Sequence, residues 1–279
     1  GLAAGKGVTV AKTQIEAEKA IRDCMEKKTF GAAGSKVVIE EFLEGEEASF
    51  IVLTDGETIL PLSTSQDHKT RDNQDEGPNT GGMGAYSPAP VVTDEVHQKI
   101  MSQVIEPTIS GLSSMGVTYS GFLYAGIIID QEQNIKVLEF NCRFGDPETQ
   151  PILMRMESDL VELCLQASKG ELKNENLEWN PKVALGVVMA AGGYPNSYRK
   201  GDEISFIPKE TPALKVFHAG TKEKDSILTT NGGRVLCVTA LGENTTQAQI
   251  RAYNSVNQIT WRDCYYRTDI GFRAVGRES

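Results

Sequence analysis

The chain has 279 residues, 28 Lys and Arg against 38 Asp and Glu for a formal net charge of −10, and five cysteines; at about 150 residues per domain this is material for two domains that fold without staples. The acidic balance argues against a general nucleic-acid or anionic-membrane surface, and apolar runs of nine residues at Val183–Ala191 and Gly121–Ile129 fall well short of the ~20 needed to span a bilayer. Cys24, Cys142, Cys164, Cys237 and Cys264 form an odd set without CxxC spacing, which implies neither a disulfide framework nor a zinc cage, but a reducing compartment, the cytoplasm.

No secretory signal is visible. The chain opens at Gly1, inside a Gly-rich loop, with no Met and no preceding strand, and so reads as a fragment. Thr13 with Glu16 forms a capping-box pattern, and Ala17, Ala20, Ile21, Cys24 and Met25 recur at helical spacing, predicting a helix over about 14–28. Lys36–Phe42, Ala48–Leu53 and Thr58–Leu62 read as antiparallel strands, the last two joined by an Asp55-Gly56 turn. Residues 63–90 are polar, rich in Gly, Pro, Asn and Asp, and aperiodic; a loop of that length is uncommon without a function, and it reads as a lid. A helix of about 93–110, strands at Ser120–Ile129 and Asn134–Asn141, and a long helix after Pro147 carrying Ile152, Met156, Leu160, Leu163 and Ala167 on one face follow. The polar stretch 169–182 reads as a linker. Beyond it come a strand at Val183–Ala190, a GGYP turn, short strands, an Asn231-Gly232 turn, a strand at Arg234–Ala240 and a helix of about 245–257.

Four features carry chemistry. In LEFNCRF, strand alternation puts Glu139, Asn141 and Arg143 on one face, about 6–7 Å apart, and Phe140, Cys142 and Phe144 on the other, toward the core. Oxygen donors beside a guanidinium suit a Mg²⁺–phosphate site with an anionic substrate next to it; a solvated strand face would carry the same residues. Gly1 to Gly7 can bring backbone N–H groups close to phosphate oxygens, yet three residues separate Gly1 from Gly5 and Gly7 follows Lys6, which excludes a Walker A loop. The acidic stretch Glu40–Glu47 can offer backbone groups to an adenine and a carboxylate to ribose hydroxyls, or be a solvated edge. In the 63–90 loop, His68, Lys69 and Arg71 supply cations and Asn79–Gly84 supply permissive backbone. His97 and His218 read as structural, Cys142 as core, and Trp179 and Trp261 as packing.

In order, a Gly-rich loop, an EEFLEGEE hinge, a long loop and a strand ending E-x-N-x-R resemble the ATP-grasp ligases. RFGDPETQ at 143–150 and GPNTGGMGAYSPAP at 77–90 resemble the phosphoribosylamine–glycine ligase (glycinamide ribonucleotide synthetase) family, with VVIEEFLEGEEASF at 37–50, GGYP at 192–195 and YRTDIGFRA at 266–274 in support. The likeness covers nearly the whole chain and is greatest to the vertebrate form, the first unit of a trifunctional purine-synthesis protein.

The resemblance implies an α+β fold: an ATP-grasp domain of antiparallel sheets with helices over 1–178, followed by a smaller mixed α/β domain over 179–279. It implies ligation of glycine to 5-phosphoribosylamine with ATP, through glycyl phosphate, in purine biosynthesis. It further implies Mg²⁺, or Mn²⁺, on Glu139 and Asn141, and Gly1, Gly5, Lys6 and Gly7 folded over the phosphates. Adenine contacts fall at Glu40, Glu41, Phe42 and Leu43, ribose contacts at Glu47, and Asn141 also reaches the nucleotide through the metal. Arg143, Asp146 and Glu148 are the implied catalytic residues, the last two toward an amino group. His68, Lys69, Asn79, Thr80, Gly81 and Gly82 are implied in substrate enclosure. Small molecules, not nucleic acid or membrane, are the implied partners, with later purine-pathway units fused to the parent chain. The closing VGRES departs from the trifunctional pattern, and the family's N-terminal parts are not seen before Gly1. Two alternatives stand beside this reading: an ATP-grasp ligase or carboxylase for another carboxylate, and a non-catalytic nucleotide-binding module.

Overall fold

The computed structural model describes residues 7–173 and 177–278. Thr13 begins α1 (Gln14–Met25) by accepting from the Glu16 N–H, and Glu16 accepts in turn from the Lys12 N–H at 2.8 Å. The run at 36–42 forms no strand. Val38 and Ile39 are 83% and 80% exposed, and no ladder partner stands beside them among the described residues; β-branching favours a pleat, but a neighbouring backbone has to complete it.

A four-stranded antiparallel sheet follows, from β1 (Glu46–Thr54) and β2 (Ile59–Pro61) to β5 (Gly121–Ile129) and β6 (Ile135–Asn141), in the order β2-β1-β5-β6. Within the 63–90 segment lie β3 (Gln66–Asp67) and β4 (Gly84–Ser87), which join a different sheet. Thr93 caps α2 (Asp94–Ile100), which runs through a π-turn at Met101–Ile105 into α3 (Glu106–Ser114). These helices cover one face of the first sheet, where Ala48, Phe50, Val52, Ala125 and Ile127 meet Val96, Ile100 and Ile105. On the other face Ile51 and Tyr124 pack on Ile152 of α4 (Thr149–Arg155), and Leu53 packs on Leu163 of α5 (Leu160–Lys169). The single helix expected after Pro147 is thus two, because Asp159 caps α5 by accepting from the N–H groups of Val161 and Glu162. The expected linker, of which residues 174–176 lie outside the described residues, is packed on both sides of them: the Leu172 N–H donates to Asp55 at 3.0 Å, and Met156 bridges Trp179.

The second sheet contains β7 (Val183–Ala190), β8 (Leu214–His218) and β11 (Arg234–Gly242), in the order β3-β4-β7-β11-β8, all antiparallel. β9 (Thr221–Lys224) and β10 (Ile227–Thr230) form a separate ribbon. The apolar stripe Ala248, Ala252, Val256 of α6 (Thr245–Val256) covers this sheet, and the short α7 (Phe272–Val275) closes the chain. The VGRES stretch is anchored as far as Glu278, the last described residue: Glu278 accepts from the Thr245 and Thr246 N–H groups at the start of α6, and Arg277 pairs with Glu46 at 2.5 Å.

Residues 63–90 are therefore not a free lid. His68 donates its N–H to Gly84 O, Met83 to His68 O and Thr80 to Lys69 O, folding the segment into a hairpin. Its tip is held by the 265–273 block. Arg267, with no exposed side chain, donates to both Asp269 oxygens at 2.8 and 2.9 Å, to Asp75 at 3.0 Å and to Thr70 O at 3.2 Å. Arg273 also pairs with Asp75. The signal for this was present only as composition, since charge pairing between positions some 200 apart leaves no periodicity to read.

Burial opposes charge on Asp75, but the facing His68 ring and the Arg273 and Arg267 guanidiniums outweigh it and hold the carboxyl well below its ordinary 3.8. Its contribution to stability is full above that ordinary value and is lost as pH falls below it. Two outcomes are expected in urea unfolding. Arg267→Met should cost about 3 kcal/mol at neutral pH, because two carboxylates lose their buried partner. Asp75→Asn should flatten the loss of stability below about pH 4; an acid limb as steep as the parent's would contradict the assignment.

Candidate active site

Register places Ser49 of β1, Gly126 of β5 and Glu139 of β6 side by side, with Glu47 two positions from Ser49 toward Ile128 and Asn141 two positions from Glu139 toward Tyr124, on the same face. Helices α4 and α5 cover the far end of that face and leave this end as a trough. Gly126 is its floor: a Cβ there would stand 3.4 Å from Glu139 Cγ and 3.6 Å from Glu47 Oε1. Asn141 Nδ2 donates to Glu139 Oε1 at 3.1 Å, so the two side chains converge. A carboxylate and an amide that can turn its oxygen outward are hard donors that fit a divalent cation.

The β3 segment forms the wall. Lys69 pairs with Glu47. Burial works against its charge, but Asp67 and Glu47 prevail and raise its pKa. Burial and the nearby Glu148 charge push Asp67 well above the carboxylate range. Burial likewise raises Glu148, against a hydrogen bond from Ser49 Oγ at 2.7 Å. Ser49 Oγ also meets Tyr124 OH at 2.9 Å. The site thus gathers four carboxylates around one lysine, an arrangement that accepts a polyanion only together with added cations.

The structure brings together Glu47, Lys69, Glu139 and Asn141. Other expected residues fall elsewhere. Gly1, Gly5 and Lys6 lie outside the described residues, and Gly7 sits in an exposed turn. Glu40, Glu41 and Phe42 are exposed, Leu43 is half-buried, and Glu41 pairs with Lys136 at 2.7 Å. Arg143 does not continue the Glu139–Asn141 row: β6 ends at Asn141, and Arg143 turns its guanidinium to Phe144 O at 2.7 Å. Phe140 and Cys142 are exposed rather than core, because β6 is an edge strand, and only Phe144 packs, on Phe122 at 4.8 Å. His68 is committed to the interior, where its Nε2 accepts from the Gly271 N–H at 2.9 Å. Burial lowers its pKa, and the ring is neutral. Glu148, expected near an amino group, is 2% exposed and faces Ser49.

The glycine-rich turn at 79–82 is pinned from both sides. Thr80 donates its N–H and hydroxyl to Lys69 O, and its hydroxyl accepts from the Gly82 N–H. Across the cleft, Arg234 of β11 donates to Gly81 O at 2.5 Å and to Asp146 Oδ2 at 2.5 Å, while the Gly81 N–H donates to Tyr194 OH at 2.9 Å. Sequence reasoning missed Arg234 and Tyr194. An arginine at the start of an apolar strand is ordinary, and only its reach across the fold gives it a partner.

Comparison with known proteins adds a further observation. Residues 1–149 match the family described as phosphoribosylglycinamide synthetase, ATP-grasp (A) domain, and residues 184–273 match its C domain. The chain is 62% identical over 280 residues to a phosphoribosylamine–glycine ligase of Escherichia coli O6:H1, and 60% identical over 279 residues to one of Vibrio vulnificus. All of the chain is covered in both cases, and it spans 65% of each relative's length. Among solved structures, a phosphoribosylamine–glycine ligase from Thermotoga maritima superposes with a TM-score of 0.84 at 35% identity, over 97% of this chain and 67% of that one. The biotin carboxylase domain of the Hydrogenobacter thermophilus 2-oxoglutarate carboxylase superposes with a TM-score of 0.71 at 14% identity, over 95% of this chain and 56% of that one, and shares the fold.

Removing Lys69, the one cation of the trough among the described residues, tests its charge balance. In Lys69→Met, Asp67 and Glu148 lose the charge that favours their ionised forms. A carboxyl whose folded pKa is raised loses stability as pH rises through that pKa. The variant's deficit relative to the parent is therefore expected to be larger at about pH 8 than at about pH 5 in urea unfolding. A deficit independent of pH would show that Lys69 does not neutralise this pair.

Proposed function

The chain belongs to the phosphoribosylglycinamide synthetase family, and from that premise we propose that it performs, within its parent protein, the ATP-dependent ligation of glycine to 5-phosphoribosylamine. Glycinamide ribonucleotide, ADP and phosphate are the products. The observation that carries this reading is the trough over Gly126, where Glu139 and Asn141 converge beside a lysine held by Glu47.

A carboxylate is a poor acyl donor because its leaving group would be oxide. Glycine is therefore phosphorylated first by ATP, and the sugar amine attacks glycyl phosphate and expels phosphate. Glu139 and Asn141 would hold Mg²⁺ or Mn²⁺, which when bound neutralises the ATP phosphates. Lys69 leaves Glu47 for a phosphate oxygen, which frees Glu47 for the ribose hydroxyls. Backbone at Glu40 to Leu43 takes the adenine, and Gly1, Gly5, Lys6 and Gly7 close over the phosphates. Arg143, on the exposed turn after β6, swings to the acyl phosphate, and Asp146 faces an amino group. Glu148 and His68 act from the interior, one fixing Ser49 and the other the hairpin that carries Lys69, while Asn79 to Gly82 enclose the substrates. A boundary at 178/179 divides the ATP-grasp unit from the smaller unit, to whose sheet β3 and β4 are lent. The cytoplasm is the fitting compartment for five free cysteines, and no helix among the described residues is long and apolar enough to cross a membrane. The likeness to the vertebrate trifunctional protein, and the fused units it implies, find no support in the bacterial relatives named above.

Phosphate release with ATP, glycine and freshly generated phosphoribosylamine, each omitted in turn, tests the reaction. Release is expected only when all three are present; release indifferent to phosphoribosylamine would overturn it. Glu139→Ala is expected to lower turnover by about 100-fold with an unchanged circular dichroism spectrum. Gly126→Val should fold and yet lose ATP binding, measured by calorimetric titration, because its side chain fills the space between Glu47 and Glu139.

A further inference from the structure

The short α7 and the residues on either side of it reach both elements that supply the Lys69–Glu47 pair of the trough. On the hairpin side, the Gly271 N–H donates to His68 Nε2 at 2.9 Å, the Phe272 and His68 rings lie 5.5 Å apart, and Arg273 pairs with Asp75. Lys69 is the residue after His68. On the β1 side, Arg277 grips both oxygens of Glu46, Nη1 to Oε2 at 3.1 Å and Nη2 to Oε1 at 2.5 Å. Glu47 is the residue after Glu46. Strand alternation turns Glu46 to the face opposite Glu47, so Arg277 holds the start of β1 from behind the trough. From β3, Gln66 Nε2 donates to Glu47 O at 3.0 Å and braces the same residue through its backbone. Side-chain exposures of 38% and 34% for Arg277 and Glu46 mean that this pair adds little to global stability. A bidentate grip supplies direction instead.

We propose that α7 is a strut that fixes the spacing of Glu47 and Lys69, with Arg277 as the positioning residue that sets how tightly and how selectively the trough holds a nucleotide's ribose. The proposal rests on Glu47 as the ribose ligand in the reading above. At rest Lys69 restrains Glu47 from the front. Once Lys69 turns to a phosphate oxygen, that restraint is gone, and Arg277, Gln66 and the ladder to Ile128 and Ile129 of β5 keep the Glu47 carboxylate in place. A carboxylate that accepts from two neighbouring hydroxyls needs its position held to about 0.5 Å. Without Arg277 the end of the strand is free to shift, and the hydrogen bonds to the ribose weaken. The ribose takes no part in phosphoryl transfer, so the loss falls on nucleotide binding and leaves the chemical step alone. The end of the second sheet's layer thus reaches the nucleotide through β1 without touching it.

Calorimetric titration of the parent protein with ATP and 2′-deoxy-ATP, together with ligation kinetics, tests the strut. Arg277→Gln is expected to weaken ATP about fivefold, to narrow its preference over 2′-deoxy-ATP, and to leave kcat and the KM for glycine within about twofold. Arg277→Lys, which keeps the charge and loses the fork, should recover only part of the loss. Glu46→Gln removes the same pair from its other side and should give the same pattern, which decides the matter should Arg277→Gln disturb the fold. The double variant Arg277→Gln, Glu47→Gln is expected to bind ATP no more weakly than Glu47→Gln alone, because Arg277 acts through Glu47. Losses that add, or parental ATP affinity in both Arg277→Gln and Glu46→Gln, would overturn the strut. The ribose reading fails by a different result: Glu47→Gln that weakens ATP and 2′-deoxy-ATP equally removes Glu47 from the ribose, while the double variant still decides whether Arg277 acts through it. Parental ATP affinity in Glu47→Gln would sink both.

Discussion

A guanidinium with no exposed surface is the constraint from which the rest of this structure follows. Arg267 cannot be buried without partners, and it finds them in Asp269 on its own segment and in Asp75 and Thr70 on the hairpin. Those contacts fix the hairpin tip against the second sheet, and the hairpin in turn carries Asp67 and Lys69 to the trough and Gly81 to Arg234. A site whose ligands come from two sheets needs such a tie, since neither sheet alone determines where the other's side chains stand.

Much of the fold was legible where local rules decide it. The cap at Thr13, the Asp55-Gly56 turn, the strands from Ala48 and Val183 and the helix from Thr245 all followed from period and turn chemistry. The same rules failed where a partner decides. Lys36–Phe42 has the composition of a strand but no ladder partner among the described residues. Arg143 has the right parity for the Glu139 row, but the strand stops at Asn141, and parity has no meaning beyond a strand's end. Residues 63–90 looked loop-like because their hydrogen bonds go to side chains and distant backbone, which no short window of sequence can display.

The candidate site divides in the same way. Glu139 and Asn141 could be read from alternation, and the wider assignment came from blocks that resemble a family. Arg234 and Tyr194 could not be found by either route, because one sits in an ordinary apolar strand and the other in a turn whose glycines draw the eye. The net charge of −10 also concealed how unevenly charge is placed. Arg155, for example, is buried among neutral acceptors, Ser87 Oγ and the Lys182 and Asn180 carbonyls, and its pKa is lowered to about 10 by that burial. Cations in this protein are spent on holding segments together as much as on binding.

The pairing of β4 with β7 has a kinetic side. Gly84 and its neighbours pair with Val187 and its neighbours, about a hundred positions later in the chain, and contacts of such separation slow folding because a long loop must close before any pairing rewards it. On the ribosome, the 66–87 hairpin emerges well before the strand it needs, with Met83 and Tyr86, both fully buried in the finished protein, still facing water. That interval is when the nascent chain is most open to wrong pairing along the β4 edge.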